Sequence, residues 1–163
     1  MQTDDKTRKV VGRVELISFP ELELADVPAR IDTGAKTSSI WASDVTMKDG
    51  ALSVVLFGEG SVFYTGAAVQ FDHHDVTVVS TSTGETQQRY KIRLLVMIKG
   101  KKVRAWFTLA DRSTQVYPVL IGRNVLLGKF IVDVKKGRAL KDEEQKRTQT
   151  LRTKIDQVGE ENQ

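Results

Sequence analysis

The chain has 163 residues, with 25 Lys and Arg against 21 Asp and Glu, a net charge of +4 and 40% hydrophobic residues. That length and mix fit one globular domain able to bury its own core, and no apolar run approaches the roughly 20 residues a membrane helix needs. There is no Cys, which excludes a disulfide framework, Cys-ligated zinc, iron–sulfur clusters and thiol catalysis, and suits the cytoplasm and periplasm equally.

Residues 1–9 are polar and read as a flexible N-terminus. They lack the apolar core of a secretion signal, so a cytoplasmic location is the expectation. From Val10 the chain reads as short strands and turns. Val11 to Phe19 alternates and stops at Pro20. Ala29 to Ile31 is a short strand ending at Asp32. Asp49-Gly50 lies between two apolar segments, a hairpin signal, with Leu52 to Phe57 as the return strand. Ala67 to Phe71 and Val76 to Val79 follow. Tyr90 to Ile98 alternates, and Val103 to Leu109 returns antiparallel after Gly100. Val119 to Ile121 is a buried run ending at Gly122, Asn124 to Leu127 allows one helical turn, and Phe130 to Val134 closes the pattern. About eight short strands with little helical period predict an all-β barrel or sandwich over residues 10–140. Residues 141–163 are charged and Gln-rich and read as a solvated tail or marginal helix.

Charge is unevenly placed. Residues 141–163 carry five cations and six acids, so the globular part holds the basic excess. Seven cations fall between Arg89 and Arg104 with no acid among them. Arg89, Lys91 and Arg93 share one strand face, and Tyr90, Ile92 and Leu94 share the other. A solvated outer face is the plain reading of that stripe. A cleft wall is the functional one, if this strand descends from a mobile hairpin.

The chemistry concentrates in Ala29-Arg30-Ile31-Asp32-Thr33-Gly34-Ala35-Lys36-Thr37-Ser38. An Asp between an apolar strand and Thr-Gly is compatible with an ordinary turn. A second segment, Val119-Leu120-Ile121-Gly122-Arg123-Asn124-Val125-Leu126, changes the reading. The pair, in this order, resembles the retropepsin-like aspartic proteases, and the likeness spans roughly Val11 to Val134. Ser82-Thr83-Gly84-Glu85, Thr108-Leu109-Ala110-Asp111-Arg112 and Phe130-Ile131-Val132-Asp133 bring it closer to the branch labelled ATP-dependent zinc protease. Members of that branch accompany ATP-grasp ligases that add glutamates to a ribosomal protein tail.

The resemblance implies a retropepsin-like acid-protease barrel with one lobe per chain and a short helical turn after Gly-Arg-Asn. It implies an aspartic endopeptidase, with Asp32, Thr33 and Gly34 as the catalytic loop. Two carboxylates sharing one proton are needed for this chemistry, and the chain supplies one Asp-Thr-Gly, so a homodimer is implied, with one Asp32 from each protomer on the two-fold axis. Gly34 lets the loops approach, the Thr33 hydroxyl would bond across the dimer, and Gly122 would pack behind the loop. Ala35 offers no hydroxyl to Asp32, which predicts a pH optimum nearer neutral than pepsin-like enzymes show. Ala35, Lys36, Ser82, Thr83, Gly84 and Arg123 are the implied substrate-binding residues. The flap is placed at Val79 to Arg89 with Ser82-Thr83-Gly84 at its tip, and residues 44–66 form a hairpin beyond the compact viral enzymes. Lys36 stands where those enzymes carry an acid. It would lie near Arg123, leaving two cations to be paired by Asp111, by Glu85 or by an acidic substrate.

Four functions compete. The first is a peptidase, cleaving acidic or glutamate-extended protein tails and linked to an ATP-grasp glutamate ligase. The second is a non-catalytic peptide-binding module on the same fold. The third is a metal-dependent peptidase. Against it, the only imidazoles are the adjacent His73 and His74, which read as turn residues, and no His-Glu-x-x-His helix is present. No Gly-x-x-x-x-Gly-Lys loop would hold ATP, so neither zinc nor ATP is expected. The fourth is nucleic-acid binding through residues 89–104, where Tyr90 and Trp106 are thin stacking platforms. Neither nucleic acid nor a membrane is the expected partner.

Overall fold

The alternating segment at the start of the domain becomes two strands, β1 (Lys9–Val11) and β2 (Val14–Phe19). The computed structural model describes residues 7–80, 83–137 and 141–161. Gly12 makes the break between β1 and β2. A Cβ there would stand 2.6 Å from the Lys136 carbonyl carbon, because the chain crosses itself at this point and Arg13 N–H donates to Lys136 O at 3.0 Å. Pro20 ends β2 and opens a single 3-10 turn, and Glu23, at φ 54°, swings the chain into β3 (Leu24–Ile31). β3 is longer than the expected Ala29–Ile31. Pro28 sits one residue before the partner strand begins at Ala29, where β3 is still an edge on that side and a proline is tolerated.

β4 (Ser38–Lys48) and β5 (Ala51–Leu56) form the hairpin signalled by Asp49-Gly50, whose φ values of 51° and 77° are those of a type I′ turn. β6 (Ala68–Phe71) and β7 (His74–Ser80) follow, with His73 in the turn between them. β8 (Thr86–Ile98) and β9 (Lys101–Ala110) are joined at Lys99-Gly100, a second pair of positive φ values, 52° and 77°. β10 (Val119–Ile121) leads into the one-turn α1 (Arg123–Leu126), and β11 (Phe130–Val132) pairs in parallel with β1. The charged C-terminal segment is α2 (Lys141–Glu161). It has no strong apolar stripe, and Ile155 and Val158 on it are exposed.

The strand order β10-β3-β2-β8-β9-β4 closes on itself because β4 also pairs with β10. Six strands therefore ring one core. β5 and β6 extend from β4, and β7 from β8. Ile17, Ile40, Ile92, Ile98, Phe107 and Ile121 are fully buried, and Phe19 meets Phe107 edge-on at 5.5 Å. The fold is all-β, as expected, with eleven strands among the described residues rather than about eight. Two parallel contacts, β3 with β10 and β4 with β9, bring the chain segments after β3 and β10 to the same end of the barrel.

Candidate active site

Asp32 is held by its backbone first. Ile31 N–H donates to Arg13 O and Asp32 N–H donates to Ile121 O, both at 2.9 Å, so the end of β3 is fixed on both sides. The chain then turns tightly, and Asp32 Oδ1 accepts the Gly34 and Ala35 N–H groups at 2.9 and 3.2 Å. This Asx-type turn orients the carboxylate. Asp32 is half-buried, while Thr33, Gly34 and Lys36 are exposed. The Thr33 hydroxyl has no partner among the described residues of the protomer.

Gly122 lies directly behind the loop. A Cβ there would meet Thr37 O at 2.5 Å, Thr37 C at 2.7 Å and Ala35 O at 2.9 Å. The next residue completes the contact, with Arg123 N–H donating to Ala35 O at 2.8 Å. A buried polar network fixes both segments. Ser38 Oγ accepts the Gly122 N–H at 2.9 Å and donates to Asn124 Oδ1 at 2.8 Å. Asn124 Oδ1 also accepts Ser38 N–H at 3.0 Å, and Asn124 Nδ2 donates to Trp106 O at 2.8 Å. Ser38 and Asn124 belong to the Asp-Thr-Gly and Gly-Arg-Asn segments, but their contact spans 86 positions and leaves no local signal.

The cations divide into two groups. Lys36 and Arg123 are exposed and have no ion pair among the described residues. Asp111, one of the acids considered for them, turns instead to Ser113, whose N–H it accepts at 2.9 Å. That bond and the Ser113 hydroxyl hold its carboxyl below the ordinary range. Arg112 is the residue the sequence reading missed. It is half-buried, donating from Nε to Tyr117 O at 2.9 Å and from Nη1 to Ser39 Oγ at 3.3 Å. Burial pushes its guanidinium below the usual range, the charges of Arg30 and Arg89 act in the same direction, and the Asp32 carboxylate opposes them.

The expected flap falls on the β7–β8 hairpin. Its register runs from His74 opposite Ile92 to Ser80 opposite Thr86. Pairing of β8 with β9 begins only at Lys91, so Thr86 to Tyr90 have β7 as their strand partner and the hairpin stands clear of the barrel. Thr83 and Gly84 are exposed in its turn, with Gly84 at φ 82°, and Ser82 lies outside the described residues. Further down β8, Lys91 bridges Asp75 at 3.8 Å and stands 5.1 Å from the Trp106 ring centroid. Of the stripe, Arg89 and Lys91 are half-buried and Arg93 is exposed.

His74 Nε2 lies 3.3 Å from Gly50 O. Among the described residues no three His, Asp or Glu side chains converge as a metal site would require. No helix among them is long and apolar enough to cross a membrane.

Comparison with known proteins agrees with the all-β fold. Residues 10–143 match the model of a family described as RimB-like, retropepsin-like aspartic endopeptidase RimB. The chain belongs to this family. A protein of Desulfotalea psychrophila named "Probable alpha-L-glutamate ligase" is 28% identical over 143 residues, covering 80% of this chain and 29% of that protein. One of the same name from Parasynechococcus marenigrum is 30% identical over 144 residues, covering 83% and 30%. The chain spans less than a third of the length of these curated relatives. A crystal structure of a Legionella pneumophila protein of unknown function shares the fold, with a TM-score of 0.52 at 22% identity over 80% of this chain and 96% of that one.

Proposed function

We propose that this chain is an aspartic endopeptidase that works as a homodimer. Asp32 of each protomer supplies half of a two-carboxylate site, one member acting as base toward water and the other as acid toward the scissile carbonyl. The observation that carries this reading is the Asp32 turn itself. A half-buried carboxylate is oriented by two backbone N–H groups, on a loop buttressed by Gly122 and the Ser38–Asn124 network. The exposed, unpartnered Thr33 hydroxyl supports a second loop docking there. Thr33 and Gly34 shape the loop contact, while Ala35, Lys36, Arg123 and the β7–β8 hairpin tip border the peptide. The reaction as proposed uses water and carboxylates, with no metal and no ATP.

The substrate proposed is an acidic or glutamate-extended protein tail. Two things support it. Lys36, Arg123 and Arg112 have no ion pair with a carboxylate among the described residues, and the charge of Asp32 acts on Arg112. The longer relatives are named as glutamate ligases, so a functional link with such a ligase follows as part of the same proposal, and the cytoplasm is its natural compartment.

The test is cleavage of an unstructured protein and of a glutamate-tailed peptide across pH 4 to 8, with and without EDTA, beside Asp32→Asn. The expected result is chelator-resistant cleavage by the wild type and none by the variant. Cleavage abolished by EDTA but retained by Asp32→Asn would sink the carboxylate mechanism.

A further inference from the structure

We propose that Arg30, Arg89 and Arg112 form a carboxylate-reading subsite beside Asp32, which selects a Glu or Asp side chain adjacent to the bond to be cleaved. This rests on the peptidase reading for the word "cleaved" but not for the recognition itself.

The strand registers assemble the subsite. Arg30 on β3 pairs with Leu120 on β10, Leu120 pairs with Ser39 on β4, Ser39 with Thr108 on β9, and Thr108 with Lys91 on β8. Residues directly opposite one another point to the same face, and so do residues two apart on one strand. Arg30 and Lys91 therefore share one face of the sheet, Lys91 shares it with Arg89, and Asp32 follows directly after the end of β3, two residues beyond Arg30. Arg112 reaches onto the middle of this row through its bond to Ser39 Oγ at 3.3 Å. The three arginines come from three separate segments, and the fold brings Arg30 and Arg89 near enough for their charges to act on Arg112.

Their surroundings are unbalanced. Arg89 Nε donates to the neutral Gln87 Oε1 at 3.3 Å, and Arg112 donates to a carbonyl and a hydroxyl. None of the three has an ion pair with a carboxylate among the described residues. Arg112 loses solvation and feels two like charges, with Asp32 as the one acid acting in its favour. In a dyad that shares a proton, each protomer contributes only part of a negative charge. A half-buried guanidinium that feels two like charges is unfavourable until an anion arrives, and a carboxylate matches the forked donors of arginine. The arrangement is therefore prepared for a substrate carboxylate close to Asp32, whereas Lys36 and Arg123 offer only exposed charge at the rim.

Binding to Asp32→Asn protein, read by fluorescence anisotropy with labelled all-Glu and all-Gln octapeptides, tests this without requiring catalysis. The all-Glu peptide is expected to bind at least about tenfold tighter. Arg30→Gln and Arg112→Gln, each made in that background, are each expected to weaken all-Glu binding at least about fivefold. Lys102→Gln, which removes the same charge from an exposed position on β9, is expected to change it less than about twofold. Because Arg30 is exposed, its variant keeps the test valid should Arg112→Gln fail to fold. Arginine variants no weaker than Lys102→Gln, or equal binding of the two peptides, would overturn the proposal. Glu-selective binding with no cleavage by the wild type would leave the subsite standing and defeat the peptidase reading. Cleavage indifferent to Glu or Gln would do the reverse.

Discussion

Replacing Gly122 with alanine adds one methyl group at the point where the two motif segments touch. Gly122 has φ −97° and ψ −174°, a conformation open to alanine, so the penalty is steric rather than torsional. The new Cβ would face Thr37 O at 2.5 Å, Thr37 C at 2.7 Å and Ala35 O at 2.9 Å. All three are backbone atoms, so no side chain can rotate away and the Asp32 loop must move. Overpacking of this kind costs about 1–3 kcal/mol. The displacement also strains the Gly122 N–Ser38 Oγ bond of 2.9 Å and the Arg123 N–Ala35 O bond of 2.8 Å, each contributing about 1 kcal/mol. Alanine restricts the unfolded chain, which returns about 0.5 kcal/mol. The net expectation is a loss of about 2–4 kcal/mol, read as a lower urea midpoint at unchanged slope. The cleavage proposed for this chain should fall with it, because Asp32 N–H donates to Ile121 O next door. Gly159→Ala in α2, where a Cβ meets nothing within 4 Å, is the control and should be neutral or gain about 0.5–1 kcal/mol. A Gly122→Ala protein within about 0.5 kcal/mol of wild type would refute the buttress argument.

Asn124→Leu strips the partners from Ser38 N–H, Ser38 Oγ and Trp106 O at once, and is expected to lower stability by about 2–4 kcal/mol in the same urea assay; a loss below about 1 kcal/mol would contradict the network's importance. Asp111 has its carboxyl depressed by Ser113, so its stabilising contribution is present above the ordinary Asp range and is lost as pH falls through the folded value. NMR titration should place Asp111 below a free aspartate, and a value at or above it would be inconsistent with the bond to Ser113. Removing residues 144–163, most of the exposed α2, should change the domain's stability by less than about 0.5 kcal/mol, and a larger loss would mean that the helix packs on the barrel.

The parts of this molecule legible in its sequence are those whose signal is local. Asp49-Gly50 announces a type I′ turn within two residues. Asp32-Thr33-Gly34 and Gly122-Arg123-Asn124 are short motifs whose meeting needs only the strand order. β3 is longer than its sequence pattern suggests because Pro28 and the left-handed Asp26, φ 55°, interrupt that pattern, and only the late start of β10 makes room for the proline. β4 was blurred because it changes partners along its length. Ser38 to Trp41 pair with β9, and Ala42 to Lys48 pair with β5 after a shift in register, so no single alternation runs through it. Arg112 was invisible as a site residue because its contact with Ser39 spans 73 positions. α2 carries no apolar stripe, so the sequence left tail and helix open.

The most direct test of the central claim, a carboxylate pair shared between two protomers, is a mixing experiment. Wild-type and Asp32→Asn proteins are exchanged to equilibrium at constant total concentration, and cleavage of a glutamate-tailed peptide is followed. If the site needs one Asp32 from each protomer, an equal mixture should retain about one quarter of the wild-type rate, because only that share of dimers is wild type on both sides. Retention of about one half would mean that each chain carries a complete site of its own, and would contradict the account.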